Sequence, residues 1–220
     1  MFPNWAKNIL FLLVYMISGL VLVIIIEGIL SGSDLIPLNT AIEGVIVSMR
    51  TPLLTDFFVL VTRIANPFII SCVAVLLATF LIFKKKSYDA VLFLTGLIVA
   101  TVSMTVLKNV FQITRSVSEV YQADGWSFPS GHATIATAFF FLLAYVLWGK
   151  MNTNRRKAGL LTLSIVGPIL ICFSRLYLGA HWALDVLAGV ALGLLSVSFT
   201  ILMFNIFLSH RRSIRKMMDL

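Results

Sequence analysis

At 220 residues, 60% hydrophobic and 12% charged, with a mean hydropathy of +1.01, the chain lies well above the roughly 45–50% apolar usage of soluble domains. This excludes a soluble globular protein and leaves little chain for a separate soluble domain. The net charge of +8 falls in short basic clusters between apolar runs rather than along one face, so the expected partner is the bilayer and no nucleic acid.

A membrane-spanning helix needs about 20 mainly apolar residues, and six segments qualify: 9–30, 57–83, 88–107, 132–149, 158–177 and 184–208. The first follows Lys7 but is longer than a signal-peptide apolar region and lacks a small-residue cleavage site, so it reads as a retained helix. Residues 31–56 carry Gly32, Asp34, Pro37 and Pro52 around a moderately apolar stretch, Thr40 to Met49, that includes Glu43. That pattern predicts a short helix lying at the interface. Arg63, Asn66 and Pro67 mark the outer end of the second segment, where Arg63 either snorkels to headgroups or assists a site. The expected fold is all-α: one polytopic domain over 1–220, six transmembrane helices in one bundle, with an interfacial helix after the first.

Lys84, Lys85 and Lys86 follow the second segment, Lys150, Arg155, Arg156 and Lys157 the fourth, and Arg211, Arg212, Arg215 and Lys216 the sixth. With Lys7 they share one side, which the positive-inside rule makes cytoplasmic. Both termini are then expected inside, and the loops 108–132 and 174–185 on the extracytoplasmic face. Cys72 and Cys172 each lie in an apolar run and read as small buried hydrophobes.

Ionisable residues at a membrane boundary are costly, so a functional reading is their default. His181 and Asp185 are four apart, which on a helix puts them on one face; the carboxylate can take a proton from one imidazole nitrogen and leave the other nucleophilic. Lys108 and Arg115 are seven apart, two turns along one face if the third segment's helix continues outward. With Arg175, six residues before His181, they make three cations that can converge on one anion, the guanidiniums by a bidentate fork. Pro129-Ser130-Gly131-His132 precedes an apolar run; Ser130 is placed as a helix N-cap, and Gly131 lets an anion approach the free N–H groups behind it. Gly179 reads as a helix terminator that brings Arg175 and His181 into one turn. Taken singly, each fragment has a plain reading: an interfacial hydrogen bond, a surface lysine, a cap beside a bystander histidine.

Together these fragments resemble the type 2 phosphatidic acid phosphatase superfamily of membrane lipid phosphatases, whose pattern is K-x6-R-P, P-S-G-H and S-R-x5-H-x3-D. Here it reads Lys108 to Arg115, Pro129 to His132, and Ser174-Arg175 through His181 to Asp185. One departure is Ser116, where the family has a proline that restricts the arginine before it. The resemblance covers about residues 57–208 and implies six helices with the site on the outer face. It further implies that His181 attacks phosphorus to give a phosphohistidine, that Asp185 orients its ring, and that His132 protonates the leaving oxygen and then activates water. Lys108, Arg115, Arg175, Ser130 and Gly131 are implied as the phosphate-binding set.

With three cations to neutralise the phosphate, no metal and no other cofactor is expected, and activity is expected to survive EDTA. The implied substrate is a lipid phosphate: undecaprenyl pyrophosphate or phosphatidylglycerol phosphate first, phosphatidic acid also fitting. Two alternatives remain at this point, a phosphotransferase of the same superfamily with a lipid or sugar acceptor, and a membrane transporter. Oligomeric state is not legible, because apolar faces serve lipid and partner alike.

Overall fold

The computed structural model describes residues 4–32, 35–115, 120–121 and 125–218. Eight helices run through them: α1 (Asn4–Ser31), α2 (Leu35–Ser48), α3 (Pro52–Ile64), α4 (Pro67–Phe83), α5 (Ser87–Phe111), α6 (Gly131–Trp148), α7 (Asn154–Tyr177) and α8 (Ala183–Met218). No strand occurs among the described residues, and the expected all-α membrane architecture holds. Five helices, α1, α5, α6, α7 and α8, are each long and apolar enough to cross a bilayer.

The predicted second crossing, 57–83, divides into two helices. Asn66 caps α4 by accepting from Phe68 N at 2.9 Å, and Pro67 opens the new helix where its missing N–H costs nothing. Thr62, near the end of α3, already touches the outer end of α7 through Arg175. The crossing therefore falls to α4, whose 17 residues reach roughly 25 Å at 1.5 Å per residue, slightly under the ~30 Å hydrocarbon core. The expected interfacial helix is α2, and the path turns by 118° between it and α3.

The helical pair α2–α3 is fastened to the α7–α8 turn rather than lying loose on the membrane. Asn39 Oδ1 accepts from Leu184 N at 3.0 Å, satisfying a free donor of the first turn of α8. Arg50 Nε donates to Tyr177 O at 2.9 Å, and Thr51 N donates to the Tyr177 hydroxyl at 2.8 Å.

The bundle buries small residues and turns large ones outward. Ala74, Ala78, Ala90, Ala100, Ala133, Ala136 and Ala188 are buried, while Leu10, Met16, Ile17, Phe68, Leu76 and Phe83 are exposed. In lipid the bilayer covers the large side chains, and close helix packing falls to small ones. Cys172 is buried but Cys72 is exposed, so the reading of two buried thiols holds for Cys172 only. Cys72 sits on a face of α4 that lipid can cover.

Helices α6 and α8 pack with little between them. A Cβ on Gly189 would stand 2.7 Å from Ser130 O, and one on Gly193 2.8 Å from Thr134 O; the two glycines are one turn apart on the same face. At the opposite end Lys150 Nζ pairs with Asp89 Oδ2 at 2.6 Å, and Asn205 Nδ2 donates to Asn8 Oδ1 at 2.9 Å. The start of α1 and the later part of α8 thus share the end away from the motif residues.

Gly189→Ala should lower the thermal midpoint, since overpacking costs about 1–3 kcal/mol. Gly159→Ala, whose Cβ meets nothing within 4 Å, should leave it level or raise it. Equal midpoints for the two variants would show that α6 and α8 separate without cost.

Candidate active site

The turn between α7 and α8 begins with a double hydrogen-bonded helix end. Gly179 N donates to Leu176 O at 3.0 Å and Ala180 N to Arg175 O at 3.1 Å, with Gly179 at φ 70°, a conformation glycine adopts without a Cβ clash. This is the termination expected from Gly179. It folds the chain back so that His181 comes to lie near Arg175.

His181 lies two residues ahead of α8, in the turn, so it and Asp185 do not share a helical face as the four-residue spacing suggested. They meet because Asp185, in the first turn of α8, reaches backwards. Its Oδ2 accepts from Trp182 N at 3.0 Å, as the third residue of a capping box does. The same oxygen is 3.5 Å from His181 Nδ1 and accepts a short bond from Ser127 Oγ. Ser127 Oγ itself lies 3.5 Å from His181 Nδ1. His181, Asp185 and Ser127 are all buried.

The N-terminus of α6 is bonded to this unit, with Ser130 N donating to Asp185 O at 2.9 Å. Ser130 occupies the N-cap position as expected, but its side chain makes no capping bond. Its hydroxyl is buried and without a hydrogen-bond partner. Gly131 leaves room that a side chain would take, since a Cβ there would come 3.1 Å from Met104 Sδ. His132 follows, half-buried, bonded to the Thr62 backbone and within electrostatic reach of Arg175 and His181.

Lys108 and Arg115 do not lie along one continued helix. The α5 helix ends at Phe111, and Gln112 turns the chain with φ 48°, ψ 38°. Arg115 then points back into the site: its Nε donates to Gly125 O at 3.0 Å, and its NH1 donates to Ala180 O at 2.5 Å and lies 3.3 Å from His181 Nε2. Trp126 O receives both Arg115 NH2, at 3.4 Å, and Lys108 Nζ in a short contact, so the two cations converge by loop geometry. Arg175, 1% exposed, donates from NH1 to Thr62 Oγ1 at 2.6 Å, with its guanidinium 5.8 Å from the Tyr121 ring centre. Ser116 lies outside the described residues.

Burial holds the His181 imidazole at a pKa of about 4, below its usual 6.5; Asp185 opposes that shift, and Arg175 and Arg115 add to it. His181 is thus neutral at pH 7. With Nδ1 towards Asp185, the consistent tautomer carries its proton there, leaving the Nε2 lone pair on the side of Arg115.

Three residues of this arrangement escaped the sequence reading: Thr62, Ser127 and Asn39. Each acts by holding a motif residue, and none has a diagnostic spacing. Arg63 was the polar residue noticed in that stretch, but its side chain is exposed, in keeping with snorkelling, and its neighbour Thr62 is the one that reaches inward. The Gly189-x3-Gly193 pair also escaped the sequence reading, although its small-x3-small spacing is a helix-packing signal that could have found it.

Two imidazoles and three cations gathered at one end of an apolar helical bundle define a membrane enzyme acting on a phosphate. The PAP2 superfamily matches residues 89–208, and the chain belongs to that superfamily of lipid phosphatases. It is 28% identical over 159 residues to phosphatidylglycerophosphatase B of Bacillus subtilis, covering 71% of this chain and 78% of the relative. Over 125 residues it is 32% identical to an undecaprenyl-diphosphatase of Sulfolobus acidocaldarius, covering 53% and 55%. The crystal structure of the Bacillus subtilis PAP2-type phosphatidylglycerolphosphate phosphatase superposes with a TM-score of 0.78 at 25% identity, covering 84% of this chain and 93% of that one. Aquifex aeolicus LpxE has the same fold, with a TM-score of 0.60 at 24% identity, covering 74% and 94%.

Because the folded chain binds fewer protons at His181 than the unfolded one between about pH 4 and 6.5, stability should fall as pH drops through that window. The acid limb of kcat/KM should lie near pH 4, activity rising as His181 loses its proton; a limb at pH 6.5 in a pH–rate profile would contradict this. Ser127→Ala should lower turnover about tenfold, the cost of one hydrogen bond to a charged group, with Ser127→Thr recovering part of it.

Proposed function

We propose that the chain hydrolyses a lipid phosphate at the extracytoplasmic surface through a phosphohistidine on His181. The observation that carries this reading is the His181 ring itself, with Nδ1 facing Asp185 and Nε2 beside the Arg115 guanidinium. Nε2 attacks phosphorus, and the bond to the lipid oxygen breaks as His132 delivers a proton to it. His132 then takes a proton from water, which attacks the phosphohistidine and releases inorganic phosphate. The phosphate dianion that enters beside His132 favours the protonated imidazole needed in the first step.

Lys108, Arg115 and Arg175 offset the charge on the non-bridging oxygens in the transition state, where fixed donors in a water-poor site act most strongly. The Ser130 hydroxyl and the Gly131 N–H complete the cradle at the N-terminus of α6. Among the described residues no three His, Cys, Asp or Glu side chains cluster as metal ligands, and the cations can supply the neutralisation a metal would. The basic clusters at the far end of the bundle support a cytoplasmic position for that end and for both termini by the positive-inside rule.

Phosphatidylglycerol phosphate is the substrate we put first, on the likeness to phosphatidylglycerophosphatase B across most of both chains. Undecaprenyl diphosphate is the second reading, on the likeness to an undecaprenyl-diphosphatase over a shorter stretch.

Phosphate release in EDTA from a panel of lipid phosphates and diphosphates tests the reading. Wild type should release phosphate and His181→Ala should not; equal release by both would remove His181 as nucleophile. Transfer to an added alcohol in place of release would make the enzyme a phosphotransferase. Arg175→Lys should lower kcat at least tenfold although the charge remains, because the planar fork is lost; unchanged kcat would take Arg175 out of the site.

A further inference from the structure

Thr62 lies on α3, outside the stretch 89–208 that matches the PAP2 superfamily, so no motif gives it a part. Phe58 and Thr62 are the buried residues of α3, one turn apart on the face towards α7. The Phe58 ring packs on those of Phe173 and Tyr177, with centres 5.3 and 4.6 Å apart. One turn further on, the Thr62 hydroxyl accepts from Arg175 NH1 at 2.6 Å. Thr55, Thr79 and Thr134 instead donate to the carbonyl four residues back, the usual arrangement for a helical threonine.

The end of α3 releases a second group of the same residue. Ala65 N still bonds to Val61 O at 2.9 Å, and in a helix that ran on Asn66 N would bond to Thr62 O. Asn66 N donates to Arg63 O at 3.3 Å instead, and Pro67, which opens α4, has no N–H to give. The Thr62 carbonyl is left for His132, which is bonded to the Thr62 backbone. A carbonyl only accepts, so the ring nitrogen that meets it keeps its proton whether the ring is neutral or charged. The other nitrogen is the one free to give and take a proton.

We infer that Thr62 is a positioning residue for the hydrolysis proposed above, holding Arg175 through its hydroxyl and the acid–base group His132 through its carbonyl. One residue of α3 thereby fixes a cation of α7 and the tautomer of a proton donor of α6. The break at Asn66 and Pro67 is what makes the carbonyl available for this. The inference rests on the lipid phosphatase reading above.

Two changes separate the two bonds. Thr62→Val removes the hydroxyl at nearly constant shape, and kcat/KM should fall about tenfold, the scale of a hydrogen bond to a charged group. The fall should be equal for a lipid phosphate and for p-nitrophenyl phosphate, which present the same phosphoryl oxygens, and inhibition by vanadate should weaken in step. Thr62→Ser should return to within about threefold of wild type. Wild-type kcat/KM in Thr62→Val, or no recovery in Thr62→Ser, removes the hydroxyl's role.

For the carbonyl, an α-hydroxy acid in place of the exposed Arg63 turns the bond after Thr62 into an ester, whose carbonyl is a weaker acceptor. Against the amino acid of the same side chain at that position, kcat/KM on the lipid phosphate should fall about fivefold. On p-nitrophenyl phosphate it should change less than about twofold, since that leaving group departs without a proton. No fall, an equal fall on both substrates, or the same lipid-specific fall from an α-hydroxy acid at Ile64, which weakens a different carbonyl, overturns the carbonyl's role. Phosphate release by wild type separates the two levels. Release that the Thr62 and Arg63 changes leave untouched sinks the positioning role alone; no release from either substrate sinks the phosphatase reading and this role with it.

Discussion

The close approach of α6 to α8 is the constraint on which the rest of the site depends. Gly189 has no side chain, so the Ser130 carbonyl lies against the α8 backbone, and Ser130 N can reach Asp185 O at 2.9 Å. One helix contributes the motif serine, glycine and first histidine; the other contributes the aspartate and, through the turn before it, the second histidine. Had either glycine been alanine, the two groups of motif residues would stand apart by about the thickness of a methyl group. Helix packing therefore sets the geometry of the motif residues.

Concentrating positive charge at the end of an apolar bundle is expensive, and the protein offsets that cost locally. Arg115 is bonded to the carbonyls of Gly125, Ala180 and Trp126, Lys108 to that of Trp126, and Arg175 to Thr62. These carbonyl and hydroxyl dipoles stabilise the cations where they stand. Burial, with Arg175 and Arg115 adding to it, keeps the His181 imidazole unprotonated. The same cations that gather at this end of the bundle thus help to set the protonation state of His181.

The site also has a roof and a floor made by different means. Above it, α2 and α3 are tied to the α7–α8 turn by Asn39, Arg50 and Thr51, so α2 positions the start of α8. Below it the three helices that carry the motifs part enough to leave a groove towards the lipid.

Much of this was legible in the residues alone. Apolar run lengths, basic clusters and three short motifs identified a membrane helical bundle, its class of chemistry and the residues gathered around His181, because hydropathy and charge act locally along the chain. The tertiary structure decided how those residues meet. The His181/Asp185 pair forms across a turn instead of along a helix, Arg115 arrives by a loop after Gln112 instead of by two helical turns, and the crossing read as 57–83 begins only at Pro67. Thr62, Ser127 and Asn39 were invisible because their roles depend on partners 113, 58 and 145 residues away in the chain. Spacing reports neighbours on one element; contacts between elements exist only after the helices have packed.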